Sequence, residues 1–240
     1  MRLKVDVVTR ATEIPWGQVL APGRGVAYRM LSLSYPALGQ HLHEYGWGTR
    51  GMVPFGHSAP AFPSAARVPG RYSAGGRGSI EFGSPLLPVV EAWAWALRDQ
   101  ELIDWGGVAL HIVDIQVMKP PDFSSRRARL RTRTPVVMKV SNAGRDGRPV
   151  WVLPTEPDFP ACFQHNLDRK LETLGLPGKV LLEKLTWVGP QRSMSVGERK
   201  GKKPGAPIEV ELSGDPEALQ AIWSWGLGQS NSAGFGWIRA

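Results

Sequence analysis

Five histidines, His41, His43, His57, His111 and His165, are the side chains of this 240-residue chain best suited to moving protons. An imidazole with an ordinary pKa of about 6.5 offers both its acid and its base form near neutrality. The spacing of one segment selects among them. In "SYPALGQHLHEYG", residues 34–46, Pro36 suits the first helical position, Ser34 or Tyr35 the N-cap, and Gly46 the position past the end. With Leu38 placed at 0° and about 100° per residue, Leu42 falls near 40°, His41 near 300° and His43 near 140°. His43 therefore points furthest from the leucine face, in a last turn where the helix dipole favours a cation. An exposed histidine there suits acid or base work, and the same placement also describes a surface histidine that only pairs with the helix end.

A second group of residues suits anion binding. "GLGQSNSAGFG", residues 226–236, places Gly226, Gly228, Gly234 and Gly236 around a polar centre of Gln229, Asn231 and Ser232. Four glycines in so short a stretch imply sharp turning or close approach. A backbone of this kind can present N–H groups to phosphate, or it can simply make a tight helix-to-strand connection. Two familiar phosphate motifs fail against it. A dinucleotide fingerprint needs its third glycine where Asn231 stands, and it needs the reverse order of strand and helix. A P-loop needs a hydroxyl after Gly-Lys, whereas the chain has Gly178-Lys179-Val180 and Gly201-Lys202-Lys203. In "SSRRARLRTRT", residues 124–134, Arg127, Arg129, Arg131 and Arg133 alternate along a predicted strand and share one face, with Arg126 at its start. Such a row would repel itself, which points to a polyanionic partner or, more plainly, to a solvated charged face. "GERKGKKPG", residues 197–205, adds Arg199, Lys200, Lys202 and Lys203 on a turn that either reaches along a polyanion or only aids solubility.

The elements that must position these groups follow from patterning. Apolar residues make up 42% of the chain, enough for ordinary cores, and its length suits two small domains. The single Cys162 excludes an intramolecular disulfide and a cysteine-based zinc site. No signal peptide or membrane span is legible, so a soluble cytoplasmic protein without a membrane partner is expected. The formal charge of +8 is uneven: residues 1–120 carry 11 Lys and Arg against 9 Asp and Glu, residues 121–240 carry 18 against 12. Along the chain, "RLKVDVVTR" alternates as a strand, residues 25–32 and 36–45 read as helices, and "VPFGHSAPAF" and "GRGSIEFGSP" as strands. "LLPVVEAWAWALRDQE" is an amphipathic helix and "GGVALHIVDIQVMK" the strand after it. Pro120 and Pro121 then mark a boundary, and the same order starts again from the arginine-rich strand to a closing strand in "GFGWIRA". The expectation is an α+β chain of two tandem ferredoxin-like (β-α-β-β-α-β) domains, residues 1–120 and 121–240.

The spacing of "GLGQSNSAGFG" resembles the C-terminal glycine-rich motif of the Cas6 family, the CRISPR-associated endoribonucleases of the RAMP superfamily. "AYRMLSLSYPALGQHLHE" is similar to the family stretch in which a tyrosine-bearing helix leads through a proline to a leucine–histidine–acidic triplet, and "VPFGHS" to its proline-aromatic strand entry. The resemblance implies tandem ferredoxin-like domains and a protein that binds the repeat of CRISPR precursor RNA and cuts it once per repeat. That chemistry is metal-independent and takes no cofactor: a ribose 2′-hydroxyl attacks the phosphate, leaving a 2′,3′-cyclic phosphate on each guide RNA. By the same implication the catalytic histidine is His43, and Tyr28 orients the reacting oxygens. Where the family often carries a lysine, "YGWGTRGMV" has none, and Arg50 is the nearest cation. His57 is held in reserve, and His41, His111 and His165 are read as structural. The glycine loop and the basic residues named above would hold RNA. Of the ten tryptophans, Trp93, Trp95, Trp151, Trp223 and Trp225 offer stacking surfaces, although the helical ones suit the core, and Trp47 stands closest to His43. Other subunits of a CRISPR interference complex are possible partners. The alternatives are a non-catalytic RAMP-type RNA-binding subunit of a CRISPR effector complex and a general single-stranded RNA-binding module.

Overall fold

The structure, a computed structural model, describes residues 1–140, 150–195 and 201–239. The first unit comprises β1 (Arg2–Thr9), α1 (Ala21–Ser34), α2 (Pro36–Glu44), β2 (Gly56–His57), β3 (Gly76–Gly83), α3 (Leu87–Arg98), β4 (Leu102–Trp105) and β5 (Val108–Met118). These strands form one antiparallel sheet in the order β2-β3-β1-β5-β4. Apart from the added hairpin strand β4, this is the ferredoxin-like arrangement, with the last strand beside the first. The alternation read in β1 is the physical one, since Leu3, Val5 and Val7 are buried while Val8 faces solvent.

After Pro120 and Pro121 the second unit runs β6 (Arg127–Arg131), α4 (Phe159–Leu174), β7 (Val180–Val188), β8 (Arg192–Ser195), β9 (Lys202–Gly205), β10 (Ile208–Gly214) and α5 (Pro216–Trp225). Its sheet has the order β7-β10-β6, and β8 pairs with β9 as a separate hairpin. α4 stops where expected, at Gly175, whose left-handed conformation (φ 65°) lets its N–H reach back to Glu172 and Leu171.

The expected closing strand is a correction. After α5 the chain takes positive φ at Gly226, Gly228, Gly234 and Gly236, with a short 3-10 turn at Asn231–Ala233. Only Ile238 then bridges Thr132, flanked by Arg133 N–H donating to the Trp237 carbonyl (2.7 Å) and Arg239 N–H to that of Arg131 (2.8 Å). The fourth ferredoxin strand survives as one bridge in its proper place beside β6.

Each unit has its own apolar core, yet the first is finished by the second, because Phe235 and Val137 are buried within the first unit's cluster. The joint also holds a fully buried Arg2. Its guanidinium donates to the carbonyls of Trp223 and Ile238 (2.8 Å for the latter) and lies between the rings of Trp223 and Trp237, at 4.2 and 3.9 Å. Glu81 balances the charge, 3.7 Å from Arg2, while accepting from Trp237 Nε1 (2.8 Å). A buried charge persists only when paired and hydrogen-bonded in this way. Among the described residues no helix is long and apolar enough to cross a membrane.

Candidate active site

Two helices and the proline between them build the site. Pro36 disfavours the helical region for the residue before it, and Tyr35 accordingly breaks the run at φ −147°, ψ 71°. α2 then folds back along α1. Gly39 allows the close approach, since a Cβ there would stand 3.1 Å from that of Leu31. α1 buries Ala27, Met30 and Leu31, and α2 buries Leu42, which leaves His43 exposed as its position on the helix predicts.

This fold-back brings His43 against Tyr28. Their rings meet edge to face, with centroids 5.2 Å apart at 79°, and the other side of Tyr28 packs on Phe55 at 5.3 Å. The phenol donates a hydrogen bond to the Leu42 carbonyl (3.3 Å), which ties the ring to the helix that carries His43. Partial burial pushes the Tyr28 pKa up, and the charge of Arg24 works in the opposite direction. Tyr28 is thus a neutral hydroxyl at neutral pH. Arg24 lies with its guanidinium carbon 5.5 Å from the Tyr28 ring centroid. It was missed in the sequence, although four residues separate it from Tyr28 on one helix, the spacing that puts two side chains on one face.

The remaining histidines separate by burial. His57 has no accessible surface, and burial lowers its pKa to about 4, which removes it as a group that touches substrate. His41, His111 and His165, read as structural, are all exposed. His41 packs with Tyr45 (5.6 Å) and Trp47 (6.3 Å). Arg50 is engaged elsewhere, its Nε 2.9 Å from Glu172 on α4.

The anion-binding expectations change more. Gly226, Gly228, Asn231, Ser232, Gly234 and Gly236 are buried, and the loop's amides turn inward. Leu227 N–H donates to Gly236, Gln229 to Val137, Gly234 to Asn231, Gly236 to Pro135 and Trp237 to Thr134 Oγ1. The Asn231 amide donates to the carbonyls of Leu227 and Phe235, both at 2.9 Å. Lys170, fully buried on α4, donates to Asn231 Oδ1 (2.7 Å) and to the Gly226 carbonyl. The Gln229 side chain is paired with the backbone of Lys139 at 3.1 and 3.0 Å. The glycines serve close approach: a Cβ on Gly236 would lie 1.8 Å from the Leu227 oxygen. Most of the loop is therefore a joint buried between the two units.

The arginine row does share one outer face, but it is not a row of unpaired charge. Glu209 on β10 binds Arg129 (2.5 and 2.9 Å) and lies 4.0 Å from Arg131, Glu81 lies 3.6 Å from Arg133, and Asp215 pairs with Arg126. Glu209 on the neighbouring strand, Glu81 on β3 of the first unit and Asp215 at the start of α5 relieve the repulsion within the row. Arg127 remains exposed at the end of the row, and Arg131 stacks over Trp187 at 4.1 Å. In the hairpin, Lys203 donates to Ser230 Oγ (2.6 Å) and Lys202 is exposed, while Arg199 and Lys200 fall outside the described residues. Trp93, Trp223 and Trp225 are core residues, whereas Trp95 is 61% exposed, and Trp47 and Trp151 are half-buried.

The chain is built of two ferredoxin-like units in tandem, fused through a buried glycine-rich loop. Residues 118–240 match the family model described as CRISPR associated protein Cas6, C-terminal, and the chain belongs to that family. The fold is similar to that of several solved structures. An RAMP protein binding different RNA substrates superimposes with a TM-score of 0.79 at 15% identity, over 100% of this chain and 98% of the other. A Cas6-related protein from Pyrococcus furiosus gives 0.77 at 14%, over 100% and 97%. A product complex of Thermus thermophilus Cas6 gives 0.67 at 18%, over 99% and 98%. No curated protein matches the chain by sequence.

Proposed function

We propose that this chain binds the repeat of CRISPR precursor RNA and cleaves it without a metal ion, by attack of a ribose 2′-oxygen on the adjacent phosphate. The observation that carries this reading is the exposed His43 imidazole set edge to face against the Tyr28 phenol, with Arg24 on the same helix face. The reaction needs a proton removed from the 2′-oxygen, charge at phosphorus neutralised and a proton delivered to the departing 5′-oxygen. His43 moves a proton in one of these steps. Tyr28, neutral and fixed, donates a hydrogen bond to a phosphate or ribose oxygen once RNA displaces its 3.3 Å bond to Leu42. Arg24 supplies the charge that the sequence first suggested for Arg50. The net charge of +8, with the exposed Arg127 and Lys202 and the outer face of β6, draws the RNA backbone toward the second unit. Membership of the Cas6 family and the likeness to a Cas6 product complex support the choice of RNA and of cleavage.

The test is cleavage of a labelled repeat RNA in EDTA. His43→Ala is expected to lower the rate by about 10²–10⁴ and leave the dissociation constant unchanged. Mass analysis is expected to find 2′,3′-cyclic phosphate and 5′-hydroxyl ends. Unmutated protein that binds the repeat and never cuts it would identify a non-catalytic RNA-holding subunit instead.

A further inference from the structure

His57 cannot touch RNA, yet its surroundings connect it to the residues that would. It ends β2, pairs with Phe82 across the sheet, and has its ring 5.7 Å from that of Trp105 and 6.2 Å from that of Phe82. The other sides of the imidazole press on bare backbone from both units. A Cβ on Gly23 of α1 would fall 2.2 Å from Cε1, 2.4 Å from Nδ1 and 2.5 Å from Nε2. A Cβ on Gly234 of the C-terminal loop would fall 2.7 Å from Cε1. The ring is therefore a flat spacer between α1 and the loop, and the residue after Gly23 is Arg24, with Tyr28 one turn further on.

The His57 Nδ1 lies 2.9 Å from the Ser58 carbonyl, and Nε2 makes no hydrogen bond of normal geometry, although the Ser232 backbone also interacts with the ring. A buried polar atom left in that state costs about 1–3 kcal/mol, whereas an apolar ring of similar shape would avoid the cost. What the position requires is a planar ring that fills the gap.

We propose that His57 is a positioning residue for cleavage: its ring, wedged between Gly23 and Gly234, holds α1, and with it Arg24 and Tyr28, in register with the loop that joins the two units. This rests on the reading of His43, Tyr28 and Arg24 as the active site. Emptying the wedge lets α1 shift, and misplacement by about an ångström is enough to slow a reaction roughly 100-fold without weakening binding.

The experiment compares single-turnover cleavage and equilibrium binding of a labelled repeat RNA, well below each variant's thermal midpoint. His57→Ala is expected to cut about 10- to 100-fold more slowly with its dissociation constant unchanged. His57→Phe, which keeps a planar ring, is expected to restore the rate. Gly23→Ala is expected to slow cleavage by pushing on the ring, and Gly23→Ala with His57→Ala to cut faster than Gly23→Ala alone, because the new methyl enters the emptied space. The proposal is overturned if folded His57→Ala cuts at the normal rate, if folded His57→Phe cuts as slowly as the alanine variant, or if the Gly23 and His57 effects simply add. Should His57→Ala fail to fold, the phenylalanine variant and Gly23→Ala decide the matter alone. His43→Ala run in parallel separates the two readings: an active His43→Ala removes the active-site assignment, while an inactive one beside a normal His57→Ala removes only the role of His57.

Discussion

The face of α1 and α2 and the C-terminal glycine loop both stand out in the sequence as places for chemistry, and they are built in opposite ways. On the helices, His43 is exposed and Tyr28 keeps one weak hydrogen bond of 3.3 Å that a substrate can replace. In the loop the side chains of Asn231 and Gln229 and the amides of Leu227, Gln229, Gly234 and Gly236 already have partners inside the protein. Reactive groups need spare hydrogen-bonding capacity that faces solvent. Glycines report only that a backbone turns or is closely approached, and here the approaching atoms belong to the protein.

The contrast can be broken first at the loop. Gly236→Ala places a methyl 1.8 Å from the Leu227 carbonyl at a φ of 63°, and is expected to cost about 4 kcal/mol or more, read as a lowered thermal midpoint or loss of folded protein. His43→Ala should leave that midpoint unmoved; a tolerant Gly236→Ala would mean that the loop is not the joint described. A smaller effect separates the two regions by pH. The folded pKa of His57, about 4, lies below its unfolded value of about 6.5, so the unfolded chain binds the extra proton as pH falls. Stability is therefore lost between roughly pH 6.5 and pH 4, by about 3 kcal/mol in full, and His57→Phe should lose that component of the dependence. Denaturant melts of both proteins across this range check it; matching slopes would contradict the burial of a neutral imidazole. The smallest effect belongs to Tyr28→Phe, which keeps the packing against His43 and Phe55 and removes one hydroxyl. Cleavage should slow about 10-fold, the worth of one good hydrogen bond, with no change in RNA affinity. Cleavage at the normal rate would confine Tyr28 to packing.

What was legible in the sequence was local. Proline at the start of α2 and glycine after α4 fixed real helix boundaries, and the leucine face of α2 correctly sent His43 outward. The order of elements yielded the tandem ferredoxin-like fold, because the alternation of strands and helices survives in the structure up to the last strand. What was not legible depended on partners distant in the chain. Glu209 lies 80 residues from Arg129, so the neutralisation of the arginine row is invisible until β10 pairs with β6. His57 is polar and flanked by small residues, which reads as surface, and it is buried by residues distant in the chain, Gly23, Phe82, Trp105 and Gly234. The closing strand was overread because Phe235 and Trp237 alternate with small residues as a strand would, while Phe235 enters the neighbouring core instead. Arg24 was the avoidable omission, since its spacing from Tyr28 needed no tertiary information.

That insertion has a consequence for how the chain is made. During synthesis the N-terminal sheet and its helices emerge more than a hundred residues ahead of the aromatic side chain that seals them. Until Phe235 has left the ribosome, the nascent first half carries an open apolar socket, a surface on which chaperones or neighbouring chains can act before the native plug arrives.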